Sequence, residues 1–183
     1  MLTGTYDAFG LLRKSYRNTV EISKFANYIL RHGDFAVYPV EPIIRHGAAV
    51  RVEKQPYATA LLEETVHTIR KWQQDGYETI AVICREEKEA AELAEQLKSY
   101  MEIVDCNPGT TEFGDGVMVL SVAYTKGLEF DAVLLYDPTQ KKYPADNGHV
   151  KLLYVAATRA LHELVVLYHG NLSRILTDPV SKE

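Results

Sequence analysis

The chain has 183 residues, 46% hydrophobic and 25% charged, which suits one ordinary soluble domain with a real core. Its net charge of −5 argues against a broad basic face that grips duplex nucleic acid, so any such contact must be small or be shared with other domains. Two cysteines, Cys84 and Cys106, and six scattered histidines give neither a disulfide scaffold nor zinc-ligand spacing. No apolar run reaches transmembrane length and the start lacks a basic-then-apolar leader, so a cytoplasmic protein with no membrane partner is expected.

Met1 to Ser15 reads as an extended segment leading to Tyr16 and Arg17. Thr19 is placed to cap a helix, and Glu21 favours its first turn. Ile22, Phe25, Ala26, Ile29 and Leu30 then recur at helical spacing until Gly33 stops them. Pro39, Pro42 and Gly47 break the next stretch, where 40–45 and 50–53 read as short extended pieces. Residues 35–56 form a possible small excursion within one domain covering 1–183.

A second helix is predicted from about Tyr57 to Gln73, with Leu61, Leu62, Thr65, Val66, Ile69 and Trp72 inward. Thr79 to Cys84 is a continuous apolar run of strand length, of the kind found in parallel sheets covered on both faces. A third helix over Glu86 to Ser99 turns Ala90, Leu93, Ala94 and Leu97 inward. Met101 to Val104 reads as another strand, and 107–116 as a polar loop. Strands follow at 117–122, 132–136 and 163–168, with a helix over 149–160 and a short final helix near 172–176. This alternation predicts a three-layer α/β domain with a mainly parallel sheet.

Ligands of open parallel sheets bind outside the carboxyl ends of the strands. Three polar clusters are expected at or near such ends: Arg85 with Glu86, the segment 125–131, and the loop before the helix that holds Arg159. Neither G-x-x-x-x-G-K-[ST] nor G-x-G-x-x-G occurs, so the chain lacks the loop that cradles a triphosphate and its magnesium. On a helical wheel Val150, Leu153, Tyr154, Ala157 and Leu161 share one stripe and Arg159 falls roughly opposite. Arg159 is then either a solvated surface arginine or a guanidinium offered to a phosphate on a neighbouring domain. Tyr16-Arg17 could stack on a base and touch a phosphate, or serve only local structure. Gly127 allows a tight turn, and Glu129 could reach a sugar hydroxyl or simply sit in solvent.

Several segments together resemble the superfamily 1A helicases of the UvrD/Rep/PcrA type. Ser15-Tyr16-Arg17-Asn18-Thr19 ahead of an amphipathic helix resembles their motif IV. Ile80 to Cys84 with Arg85 resembles motif IVa, 121–131 (S-V-A-Y-T-K-G-L-E-F-D) motif V, and 152–160 (L-L-Y-V-A-A-T-R-A) motif VI. The resemblance spans about residues 10 to 170 and keeps the family's order.

In that family two RecA-like domains, 1A and 2A, share one ATP, and 1A owns the nucleotide loop. The chain resembles 2A, which implies a RecA-like fold without its own Walker A loop. By that pattern Tyr16 stacks on adenine, Arg17 and Arg159 reach the γ-phosphate, Glu129 holds the ribose and Gly127 lies against the nucleotide. The same resemblance implies that Arg159 is the arginine finger. The implied cofactor is ATP with Mg2+, the metal held mainly by the 1A domain. Ser121, Tyr124, Thr125, Lys126 and Arg85 are the implied contacts to single-stranded DNA, held weakly by this domain alone. The family often has His where Ala123 stands, which removes one expected contact.

About 30 residues separate Arg85 from Val117, too few for the large 2B insertion of many relatives. With the wording around Arg159, this resembles the HelD or helicase-IV-like branch, some members of which release RNA polymerase from nucleic acid. Three functions are thereby opened. They are a helicase or translocase domain inactive by itself, a motor domain acting on RNA polymerase, and a stand-alone binding domain that does not catalyse.

Overall fold

The computed structural model describes residues 18–36, 45–106 and 114–177. Helix α1 (Val20–Leu30) begins where Thr19, itself buried, accepts a hydrogen bond on its hydroxyl from the Ile22 amide at 3.3 Å. The five apolar residues read from the sequence are its buried face. Strand β1 (Arg51–Lys54) follows, then α2 (Ala58–Gln74), β2 (Thr79–Cys84) and α3 (Glu87–Leu97). Strand β3 (Gly116–Ser121) runs into a one-turn 3₁₀ helix, Val122–Thr125. Then come β4 (Phe130–Tyr136), α4 (Asn147–Ala157) and β5 (Ala160–Tyr168).

The five strands form one sheet in the order β1-β5-β4-β2-β3, and every pairing is parallel. Side chains alternate strictly across it. Ala81, Ile83, Met118, Leu120, Val133, Leu135, Leu164 and Val166 face a core shared with α1 and α4. Ile80, Val82, Cys84, Val117, Val119, Ala132, Leu134, Val165 and Leu167 face the core shared with α2 and α3. Two covered faces explain why the strands are continuously apolar and not alternating. Each fully buried aliphatic side chain contributes about 1.5–3 kcal/mol before entropy is counted. The result is the expected three-layer α/β fold.

Several boundaries differ from the sequence reading. Residues 101–104 form no strand, since only the Val104 amide reaches the outer edge of β3, at the Val117 carbonyl (2.8 Å). Residues 172–176 turn without forming a helix, although Ile175 and Leu176 are buried. The stretch from 51 to 54, at the end of the expected excursion, enters the sheet as its edge strand β1. Residues 40–44 lie outside the described residues. Helix α4 stops at Ala157, so Arg159 stands beyond it and the helical-wheel argument for its direction does not apply. No helix among the described residues is long and apolar enough to cross a membrane.

Candidate functional site

Arg159 is the second residue of the two-residue turn that joins α4, capped by Thr158, to the first residue of β5. It therefore lies at the amino edge of the sheet, not at the carboxyl edge where the clusters were expected. The same holds for Gly127 and Glu129, which immediately precede β4. The chain reaches that edge because the 3₁₀ turn and residues 126–129 carry it back along the sheet from the end of β3. The length of β4 separates the two edges by about 20 Å.

The turn is built from backbone groups that a helix end leaves unpaired. The Thr158 amide donates to the Tyr154 carbonyl (3.0 Å) and the Arg159 amide to that of Ala156 (3.2 Å). The Thr158 hydroxyl takes the carbonyls of Tyr154 (2.9 Å) and Val155 (3.0 Å). The Arg159 side chain then folds back. Its Nε donates to the Val155 carbonyl at 3.0 Å and its Nη1 to the Leu128 carbonyl at 3.2 Å. The Arg159 carbonyl accepts the Phe130 amide at 2.9 Å. Segments 127–130 and 158–160 are thus bound to each other twice. A cation at the carboxyl end of a helix is also favoured by the helix dipole. Neither carbonyl that holds the guanidinium neutralises its charge. Burial pushes the Tyr154 phenol up, and the charge of Arg159 works against that rise.

Two features shape the edge beside Arg159. Gly127 has φ +78°, and a Cβ there would meet nothing within 4 Å. Its backbone is therefore open on that side, and glycine is needed for conformation, not for space. Beyond it the β4–β5 register slips. Phe130 pairs with Ala160 but Ala132 pairs with Glu163, so β5 carries one extra residue. Arg45 donates its Nη2 to the Leu161 carbonyl within this bulge. Gly47 packs so tightly there that a Cβ would stand 2.6 Å from Thr19 Cγ2.

Asp131 fastens the start of β4 to β2. Its Oδ2 accepts the amides of Glu78 (2.9 Å) and Thr79 (3.0 Å), and its own amide donates to the Thr79 hydroxyl (2.9 Å). Asn18, the first described residue, donates its side-chain amide to the carbonyls of Thr158 (3.1 Å) and Ala160 (2.5 Å). Reading residue types missed both anchors. The signal was there: each belongs to a segment already singled out, 15–19 in one case and 125–131 in the other. Tyr16 and Arg17 themselves lie outside the described residues.

The five residues expected near a nucleic-acid strand divide by exposure. Thr125 is fully buried and its hydroxyl donates to the Val122 carbonyl at 2.7 Å, while Ser121 is 3% exposed. The Thr125 hydroxyl faces inward because it closes the 3₁₀ turn, and Ser121 is buried at the end of β3. Tyr124 and Lys126 face outward.

Arg85, at the carboxyl end of β2, is half-buried, with its guanidinium carbon 5.9 Å from the centre of the Tyr143 ring. Its Nε is buried with no hydrogen-bond partner. Beside it Lys142 Nζ lies between Asp137 Oδ2 (2.8 Å) and Glu89 Oε1. Burial alone would depress the lysine, but the bonds from Asp137 and Glu89 outweigh it and raise its pKa. No group of three or more His, Cys, Asp or Glu is placed to hold a metal among the described residues.

Residues 116–167, which run from β3 into β5 and include both bonded segments, match the family of the UvrD-like helicase C-terminal domain. No curated protein matches the chain. Among solved structures, the C-terminal domain of a possible DNA helicase from Lactobacillus plantarum WCFS1 has a similar fold, with a TM-score of 0.73. The two chains are 27% identical over 89% of this chain and 92% of that one. The five-stranded parallel sheet with helices on both faces is accordingly the fold of a RecA-like helicase C-terminal domain.

Proposed function

We propose that this chain is the second RecA-like domain of an ATP-driven DNA helicase or translocase, and that its amino edge completes an ATP site whose phosphate-binding loop belongs to another domain. The observation that carries the reading is the pair of bonds joining 127–130 to 158–160, which sets a charged guanidinium beside an open glycine turn. A triphosphate needs such a charge, fixed in advance and aimed where negative charge develops. Arg159 supplies it. Gly127 leaves room for close approach, and the exposed Glu129 is within one residue of the same turn for a ribose hydroxyl. Tyr16 and Arg17 complete the set by the resemblance of their segment. By the same resemblance Mg2+ is held mainly by the partner domain.

When bound, ATP supplies the transferable phosphoryl group. The chain's own residues orient it and balance its charge. Tyr124 and Lys126, outward-facing beyond the end of β3, with Arg85 at the end of β2, are the contacts proposed for single-stranded DNA. The net charge of −5 fits weak binding by this domain alone. Action on RNA polymerase is the alternative branch. Polymerase capture by the full-length protein without strand displacement would favour it.

Two assays test the main reading. The chain by itself should turn over no ATP, and robust turnover would refute a shared site. In the full-length protein, Arg159→Ala should lower turnover by about a thousandfold or more. A near-normal rate in that variant, with the fold intact, excludes the finger role.

A further inference from the structure

Arg159 cannot act on a phosphate unless its short turn keeps one geometry, and that turn has a weak side. On the β4 side it is held by the Phe130 amide and the Leu128 carbonyl. On the other side β1 would be the neighbour, but β1 pairs with β5 only from Val165 onward. The Thr158 and Ala160 carbonyls lie short of it. The turn at Thr158 and Arg159 nevertheless brings both within reach of one side-chain nitrogen. Left bare at a partly buried edge, each would cost about 1–3 kcal/mol.

A single nitrogen closes both. Asn18 Nδ2 donates one hydrogen to Thr158 O at 3.1 Å and the other to Ala160 O at 2.5 Å. Only a primary amide or a cation offers two hydrogens from one short side chain. Serine and threonine have one, and aspartate has none at neutral pH. Asn18 is itself fixed because the next residue, Thr19, is the buried cap of α1. Val20 then donates its amide to the Arg45 carbonyl at 3.0 Å, while the Arg45 side chain holds the Leu161 carbonyl. The start of α1 therefore grips the chain ahead of the β5 bulge, and Arg45, bonded to α1, grips the bulge itself.

From this geometry we infer that Asn18 is a positioning residue for the ATP site: it clamps the carbonyls on either side of Arg159 and couples the segment after Arg17 to the arginine finger. The inference rests on the ATP-site reading above. It adds that the start of α1 and the turn bearing Arg159 move as one body. A displacement of about 1 Å at a reacting group can cost about a hundredfold in rate.

The test uses Asn18→Asp, which keeps the shape but replaces the two donors by acceptors, with Asn18→Ala as a second variant should the first not fold. In the chain itself, the Phe130 and Arg159 amides should exchange with solvent about tenfold faster in either variant, while the buried amides of β2 and β4 keep their protection. Unchanged exchange at both amides would overturn the clamp whatever the enzyme does. In the full-length protein, either variant should lower kcat for ATP about 10- to 100-fold with little change in KM. In an Arg159→Ala background the same change should have almost no further effect. Equal losses in both backgrounds would show a general structural role and overturn the inference. A silent Arg159→Ala would instead overturn the ATP-site reading, and with it the coupling, while leaving the exchange result to judge the clamp.

Discussion

The two edges of the sheet handle charge in opposite ways. At the carboxyl edge Lys142 is enclosed by Glu89 and Asp137, and Arg85 is laid across the Tyr143 ring. Those cations have partners of opposite charge or an aromatic face, and they serve to hold α3 and the chain after β4 together. At the amino edge the Arg159 guanidinium donates to the carbonyls of Val155 and Leu128, neutral groups that fix its position. An ion pair neutralises its members, whereas a carbonyl clamp orients a cation without cancelling it. On the proposed function it is the amino edge, where neutral carbonyls orient the cation, that meets the nucleotide. The usual preference for the carboxyl ends of strands would have chosen the other edge.

Substitutions at the two edges should therefore separate in kind. The largest effect belongs to Arg159→Ala, which should abolish nearly all ATP turnover by the full-length protein yet change its unfolding midpoint little. Lys142→Met should do the reverse. It leaves the buried Asp137 and the half-buried Glu89 carboxylates facing each other and should cost about 2 kcal/mol of stability in denaturant titration. Equal effects of both variants on turnover would erase the distinction. Asp131→Ala is milder, at about 1–2 kcal/mol, because it frees the amides of Glu78 and Thr79. Asp131→Asn keeps an acceptor and should recover most of that loss.

The smallest effect tests the amino edge through pH. Burial raises the Glu21 carboxyl, but hydrogen bonds from His46 (2.9 Å) and from the Gly47 amide (2.8 Å) outweigh it and lower its pKa from 4.5 to about 2. A carboxyl lowered on folding contributes stability that is complete above 4.5 and is lost as pH falls through 2. Acid unfolding of Glu21→Gln should thus show a flatter pH dependence in that window and lower stability at neutral pH. The same slope as in the unchanged chain would mean that the tie from α1 to residues 46–47 contributes nothing.

Periodicity made the layers legible. The five inward residues of α1 and the six-residue run at β2 could be read directly, because burial on one helix face or on both sheet faces leaves its period in the sequence. Residues 101–104 misled because an apolar run at the rim of a sheet looks the same whether or not it pairs. The direction of Arg159 misled because α4 ends two residues before it. A wheel presumes helix, and Thr158 and Arg159 themselves take up the terminal carbonyls that would have continued it. Residue types and motif order singled out Arg159, Gly127 and Glu129 as candidates. They did not reveal that an asparagine and an aspartate hold the turn in place, since such side chain-to-backbone bonds carry no spacing rule.

The most direct measurement is a structure of the full-length protein with a non-hydrolysable ATP analogue and magnesium. The account predicts the γ-phosphate within hydrogen-bond reach of the Arg159 guanidinium, beside Gly127 and between this domain and its neighbour. A nucleotide seated at the carboxyl ends of the strands against Arg85 and Lys142, or one that never meets this domain, would contradict it.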